Sequence, residues 1–273
     1  MFSGFFYFKF IPAQAGINGE NMKVVIPQNI YAAIFAMNLP DEIKGDIKVT
    51  ASSLIANEVE KENSDIGLMP SFDLLNHKEL YISKKAALSF DGLLSNTYFY
   101  FVPGKEKIYE LFLRGDVSSN EIILSKILFS ERFDSNIKLT LDTSEIIDEN
   151  KNYIITGNDN FGSFDFNKGI SFADQIAELI DFPYVNYVWA SKDEEKLKEF
   201  NNFFNELDKS VEDRIEIILQ SMNFRKEVNE FIEENLNSVY FEITENEIAG
   251  LYELLKLPYF HGITKEMFEL KLV

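Results

Sequence analysis

From Met22 to Ala190, short apolar runs alternate with longer stretches in which apolar residues return every three or four positions. Compact runs bounded by turn residues predict buried strands, and the periodic stretches predict helices. The strands expected are 24–26, 47–50, 66–69, 86–90, 97–102, 109–113, 137–141, 153–156 and 185–190; the helices are 30–37, 53–61, 120–129 and 172–180. That alternation predicts an α/β fold with a mainly parallel sheet and crossover helices. Beyond Ala190 the period turns helical almost to the chain end. Ser191-Lys192-Asp193-Glu194 fits a capping box. Leu197, Phe200, Phe203, Phe204 and Leu207 make one apolar face, and Val211, Ile215, Ile218, Leu219 and Met222 make another. A third helix is expected over 225–236, and Thr244-Glu245-Asn246-Glu247 caps a fourth through about Lys256.

Ligands of open α/β sheets sit beyond the carboxyl ends of the strands. The run Ser64-Asp65-Ile66-Gly67-Leu68-Met69-Pro70-Ser71 ends there with a free hydroxyl. Three further segments share its mixture of apolar strand and polar mouth: Leu88-Ser89-Phe90-Asp91-Gly92, Val117-Ser118-Ser119-Asn120 and Asp181-Phe182-Pro183-Tyr184-Val185-Asn186-Tyr187-Val188-Trp189-Ala190. With no polar spacer in the chain, any hinge between two units must lie inside such segments, at 91–96 and near 188–191.

Composition narrows the chemistry. The 273 residues carry 26 Lys+Arg against 45 Asp+Glu, a formal charge of −19. That field repels phosphate backbones and anionic leaflets, so neither nucleic acid nor a membrane surface is an expected partner. There is no cysteine for a disulfide, a thiolate metal site or a thiol nucleophile, and two histidines, His77 and His261, make a poor metal site. No metal or cofactor is expected. His77 is expected to be exposed and His261 to sit in a turn. Residues 1–21 are expected to lie outside the fold. Ala13-Gln14-Ala15 has the form of a signal-peptidase site, but the one Lys before it lies within the aromatic stretch and no basic region precedes it. A cytoplasmic protein is expected, with export the alternative if residues 1–15 act as a leader.

Taken in order, these segments resemble the chorismate dehydratase branch of the menaquinone-biosynthesis (futalosine route) family, over about 23–257. Ser64 to Ser71 is similar to that family's Asp-Val-Ala-Leu-Ile-Pro-Ser, Leu88 to Gly92 to its Ile-Ser-Ser-Asp-Gly, and Leu179 to Ala190 to its Thr-Gly-Leu-Pro-Phe-Val-Phe-Ala-Val-Trp-Ala. The resemblance implies a two-lobed type II periplasmic-binding-protein-like fold with a helical C-terminal region. Lobe 1 would comprise 22–96 plus 188–273, and lobe 2 97–187. It also implies a small anionic organic ligand, chorismate or a relative, dehydrated in the cleft to 3-enolpyruvyl-oxybenzoate. The chain departs from the family where Pro-Val-Arg-Ser becomes Leu93-Leu94-Ser95-Asn96, where Ser-x-Thr-Ser becomes Ser118-Ser119-Asn120-Glu121, and where Gly-Asp becomes Gly157-Asn158.

With no histidine or carboxylate pair offering an evident base, such a site must work by positioning. Asn29, Ser95 and Asn96 are the candidate catalytic positioners. Ser71, Asp91, Gly92, Ser118, Ser119, Asn120, Gly157, Tyr184 and Asn186 are the candidate substrate-binding residues. Asp91 reads first as a hinge residue, Ser118 and Asn120 fit a helix cap as well as a ligand contact, and Lys84, Lys85 and Arg114 are the cations that could replace the family's arginine. A non-catalytic solute-binding protein of the same fold is the alternative.

Overall fold

A computed structural model describes residues 22–44, 46–104, 107–162, 168–222 and 224–273; the aromatic N-terminal extension lies outside the described residues. Eleven strands form two sheets among them. They are β1 (Val24–Pro27), β2 (Ile47–Thr50), β3 (Ile66–Pro70), β4 (Tyr81–Phe90), β5 (Thr97–Tyr100), β6 (Glu110–Gly115), β7 (Lys138–Leu141), β8 (Tyr153–Thr156), β9 (Ile170–Ser171), β10 (Tyr184–Ser191) and β11 (Val239–Glu242). The first sheet has the order β11-β4-β10-β3-β1-β2 and the second β7-β6-β8-β5-β9. The helices are α1 (Ile30–Asn38), α2 (Asp41–Lys44), α3 (Ile55–Glu60), α4 (Ser119–Phe133), α5 (Asp159–Gly162), α6 (Phe172–Ile180), α7 (Glu194–Asn201), α8 (Leu207–Met222), α9 (Lys226–Glu234) and α10 (Glu245–Phe260).

Each sheet is one lobe, and the chain crosses between them twice. It leaves the first sheet after Phe90 and returns at Tyr184, so the second crossing lies at 181–183, before β10 and not near 188–191. Residues 184–187, which the sequence places in lobe 2, pair within the first sheet: Tyr184 faces Phe90 and Tyr187 faces Pro70. All eight residues of β10 are buried, as a strand covered on both faces must be.

β1 pairs in parallel with β2 and β3, as expected, but β10 runs antiparallel to both β3 and β4, and β11 is antiparallel to β4. The sheet is therefore mixed. A strand re-entering from the far lobe arrives from the end at which β4 left, so it runs against its neighbours. β11 also interrupts the C-terminal region expected to be helical. Its four residues alternate inward and outward, Val239 and Phe241 being buried, on the edge beside β4. Helix α7 begins two residues later than the capping box predicts: Ser191 still belongs to β10, its hydroxyl donating to Asp65 O at 2.7 Å, and Asp193 caps through Glu195 and Lys196 N–H. The box at Thr244 and Glu247 is present.

The first lobe's core is aromatic. Phe35 and Phe200 meet Trp189 edge-on at centroid distances of 5.0 and 4.9 Å, and Phe204 and Phe241 close the cluster. The second lobe packs Phe99 against Phe172 and Phe129 at 5.3 and 6.0 Å. Two polar latches between the sheets follow from this architecture, and they form the candidate site.

Candidate functional site

The polar end of the first lobe is built where β1 and β2 stop. Asn29 follows β1 and caps α1, its Oδ1 accepting from Ala32 N–H at 2.8 Å. Its Nδ2 is buried with no hydrogen-bond partner among the described residues, and the amide faces the Tyr187 hydroxyl. Ser52, fully buried, opens a 3-10 turn (Ser52–Leu54) that runs on into α3 after β2. Its hydroxyl lies 3.0 Å from Tyr187 OH. From the segment joining β4 to β5, Asn96 Nδ2 donates to the same phenol at 3.1 Å, while Asn96 Oδ1 is buried and unpartnered among the described residues. Tyr187 OH is thus the hub of a buried cluster of Asn29, Ser52 and Asn96.

Lobe 2 contributes Asp116. β6 ends at Gly115 with φ +84°, where an added Cβ would stand 1.9 Å from Thr156 O, so only glycine allows this turn. The turn aims Asp116 at the other lobe. Its two oxygens accept from Ser52 N–H at 2.9 and 3.1 Å, and Oδ2 also accepts from the Ser52 hydroxyl at 2.6 Å. Burial pushes the Asp116 carboxyl above the usual carboxylate range, and the Ser52 bonds pull it back only in part. Burial likewise raises Glu121, held under Ser118 and Thr97, and Tyr187, whose phenol stands near both carboxylates. With Tyr187 donating to Ser52, the cluster reads as a chain of hydroxyls that ends on a carboxylate.

A second latch lies beside β10. Asn120, fully buried on the first turn of α4, accepts from Phe72 N–H at 2.9 Å and donates to Asn186 O at 2.7 Å and Asn186 Oδ1 at 2.9 Å. Ser119 donates to Asp73 at 2.6 Å, so α4 holds the short 3-10 helix (Ser71–Leu75) after β3.

Several sequence candidates have other occupations. The Ser71 hydroxyl does not face the cleft freely; it donates to Val185 O at 2.6 Å. Ser95 Oγ accepts from Thr97 and Ala173 N–H, tying the crossing to α6. Ser118 forms a capping box with Glu121. Asp91 is exposed, with its N–H on Ser238 O, and Gly92 takes φ +147° while its carbonyl accepts from Ser171. Tyr184 OH donates to Asn186 Oδ1, and Gly157 N–H donates to Asn96 O beside Asp116. None of the three candidate cations reaches the cleft cluster: Lys84 and Lys85 are exposed on β4, and Arg114 binds Ser144 near Asp142. His77, expected exposed, is half-buried and 2.8 Å from Glu60; His261 follows α10, 3.1 Å from Glu131.

Ser52 and Asp116 are absent from the sequence candidates. Ser52 follows a parallel strand just as Ser71 does, so the same rule applied to β2 would find it. Asp116 directly follows β6, also a parallel strand, so the same rule would mark it as well, although its Ser52 partner comes only from lobe docking.

No family model matches the chain, and no curated protein sequence matches it. Solved structures do. A protein of Archaeoglobus fulgidus superposes with a TM-score of 0.58 at 11% identity, over 90% of this chain and 100% of that one. The periplasmic aliphatic sulphonate binding protein SsuA of Escherichia coli gives 0.52 at 11%, over 92% and 90%. A Candida albicans gene product with the generic periplasmic binding protein fold gives 0.52 at 11%, over 91% and 92%. The chain therefore has a two-lobed α/β fold of the type II periplasmic-binding-protein kind, with the Tyr187 cluster between its lobes.

Proposed function

We propose that the protein binds a small polar organic solute between its lobes. One observation carries this reading: Asn29 Nδ2 and Asn96 Oδ1 are buried without a hydrogen-bond partner among the described residues, and both side chains adjoin the Tyr187 hydroxyl. Each such atom costs about 1–3 kcal/mol while unpaired, and a ligand that offers one acceptor and one donor recovers that cost. Support also comes from the fold, which the Escherichia coli neighbour uses to bind aliphatic sulphonates.

In its finer form the reading is a chorismate dehydratase-like lyase. The order of the segments at 64–71, 88–92 and 179–190, with an asparagine after the first strand, supports it. A proton would leave C3 and the hydroxyl would leave C4, together making one water as the ring becomes aromatic. The substrate's own side-chain carboxylate would carry the proton, and Asn29, Asn96 and Tyr187 would hold the leaving group and ring in place. A second reading, closure over a solute without turnover, is favoured by the engagement of the Ser71, Ser95 and Ser118 hydroxyls with protein partners. The first goes with a cytoplasmic location and the second with export.

Incubation with chorismate, followed by mass spectrometry for loss of water, tests the finer reading. Turnover that falls at least tenfold in Asn29→Ala supports it; saturable binding with no product supports the second. Neither binding nor turnover of chorismate, with no hit from a library of small polar metabolites, refutes both.

A further inference from the structure

The Asp116 carboxylate lies on Ser52 as a bound anion would. A backbone N–H and a hydroxyl of one lobe converge on both oxygens of a carboxylate from the other, at 2.6–3.1 Å. No Lys or Arg among the described residues pairs with it. Such an arrangement stabilises negative charge by fixed donors alone, as protein sites for carboxylate and phosphate groups do. Among the described residues Ser52 N–H donates only to Asp116, since the first N–H groups of a helical segment have no partner within it. Next to it stand the Tyr187 phenol and Asn29 Nδ2, which has no partner among the described residues, so the donors belong to the cleft rather than to an isolated turn.

We infer that Ser52 forms a carboxylate subsite on lobe 1 and that Asp116 of lobe 2 occupies it as an internal competitor. A ligand bearing a carboxylate enters this subsite only by displacing Asp116, which leaves with its lobe. The two carboxylates cannot share the place, because no cation of the described residues lies between them and like charges a few ångströms apart repel strongly where water is excluded. The protein therefore binds simple carboxylates weakly, and removal of Asp116 unmasks the subsite. The inference rests on the reading of the cleft as a solute site, but it concerns Ser52 and Asp116 alone.

The test is titration of the folded protein with acetate and with benzoate, followed by calorimetry and thermal shift. Asp116→Ala is expected to bind both anions at least tenfold more tightly than the parent. Ser52→Pro in the Asp116→Ala background is expected to abolish that gain. Proline removes the N–H and the hydroxyl together, fits the first position of a helical segment, and follows Ala51 at φ −64°, ψ 140°, the conformation required before proline. Equal affinity in parent and Asp116→Ala overturns the inference, as does a gain that survives Ser52→Pro. If Asp116→Ala fails to fold, Asp116→Asn and Ser52→Pro are each made alone. Both are expected to open the lobes to the same extent, and the double variant to open them no further; additive opening overturns the inference. Loss of chorismate or metabolite binding with the anion response intact would count against the function proposed above and leave this inference standing.

Discussion

Asn120→Ala should open the protein without unfolding it. The asparagine makes three buried hydrogen bonds, to Phe72 N–H, Asn186 O and Asn186 Oδ1, and all three cross from lobe 2 to lobe 1. At a net value of about 1 kcal/mol each, their loss costs about 3 kcal/mol of closed state, roughly a hundredfold in the equilibrium between closed and open forms. The Phe72 N–H and the Asn186 oxygens would remain buried and unpaired only while the lobes stay together. Opening gives them water, so the variant relieves its penalty by separating the lobes and not by melting either one. Two measurements read this. Small-angle scattering should give a larger radius of gyration, and the Phe72 amide should lose most of its protection against hydrogen exchange while amides in β10 keep theirs. An unchanged radius with full protection at Phe72 refutes the reasoning. So does a lowered thermal midpoint with the radius unaltered, because that would place the role of Asn120 inside its own lobe.

Ser71→Ala removes a bond to Val185 O and should cost about 1 kcal/mol in denaturant unfolding while changing ligand affinity less than twofold; a larger affinity change would mean that the hydroxyl leaves Val185 when ligand arrives. Gly115→Ala places a methyl against Thr156 O in a backbone conformation hostile to side chains, and should cost more than about 2 kcal/mol; a urea midpoint within error of the parent would show that the turn relaxes freely. Asp208 accepts from Phe241 and Glu242 N–H, and burial lifts its carboxyl to about 6. Below its unfolded value near 4 both states hold the proton, and from there to about 6 the folded state holds it preferentially. The contribution of this group is therefore greatest in acid and is lost as pH rises through about 6. Asp208→Asn should flatten that part of the stability profile, and a variant whose profile runs parallel to the parent's between pH 4 and 7 would contradict the assignment.

The elements easiest to read in the chain are those whose signal is local. β2, β8 and α6 fall on the residues their apolar runs and flanking polar positions mark, and the Thr244 box marks the start of α10. β11 escapes because four residues are too few to separate a strand's period from a helix's, and the direction of β10 escapes because orientation belongs to the path of the whole chain. The site divides in the same way. Asn29, Asn96 and Asn120 stand out as polar residues at the ends of apolar runs. Ser71 and Ser118 stand out equally, yet their hydroxyls bind Val185 and Glu121, and nothing near them in the sequence distinguishes the two outcomes. Asp116 and Ser52 are 64 residues apart and meet only when two separately built sheets dock, so no spacing could join them.

The register of Tyr184 against Phe90 has a kinetic consequence. β4 and β10 are partners at the centre of the first sheet, and all of the second sheet lies between them in the chain. Their first contact must close a loop containing that entire lobe, and loop-closure entropy grows with the length of flexible chain, by about 0.6 kcal/mol for each doubling. A second lobe already collapsed shortens that flexible length to the two crossings, whereas an unstructured one leaves the loop at its longest. The first sheet thus joins β4 to β10 only across the whole second lobe, and Trp189, at the heart of the aromatic core, arrives on the strand that makes this closure.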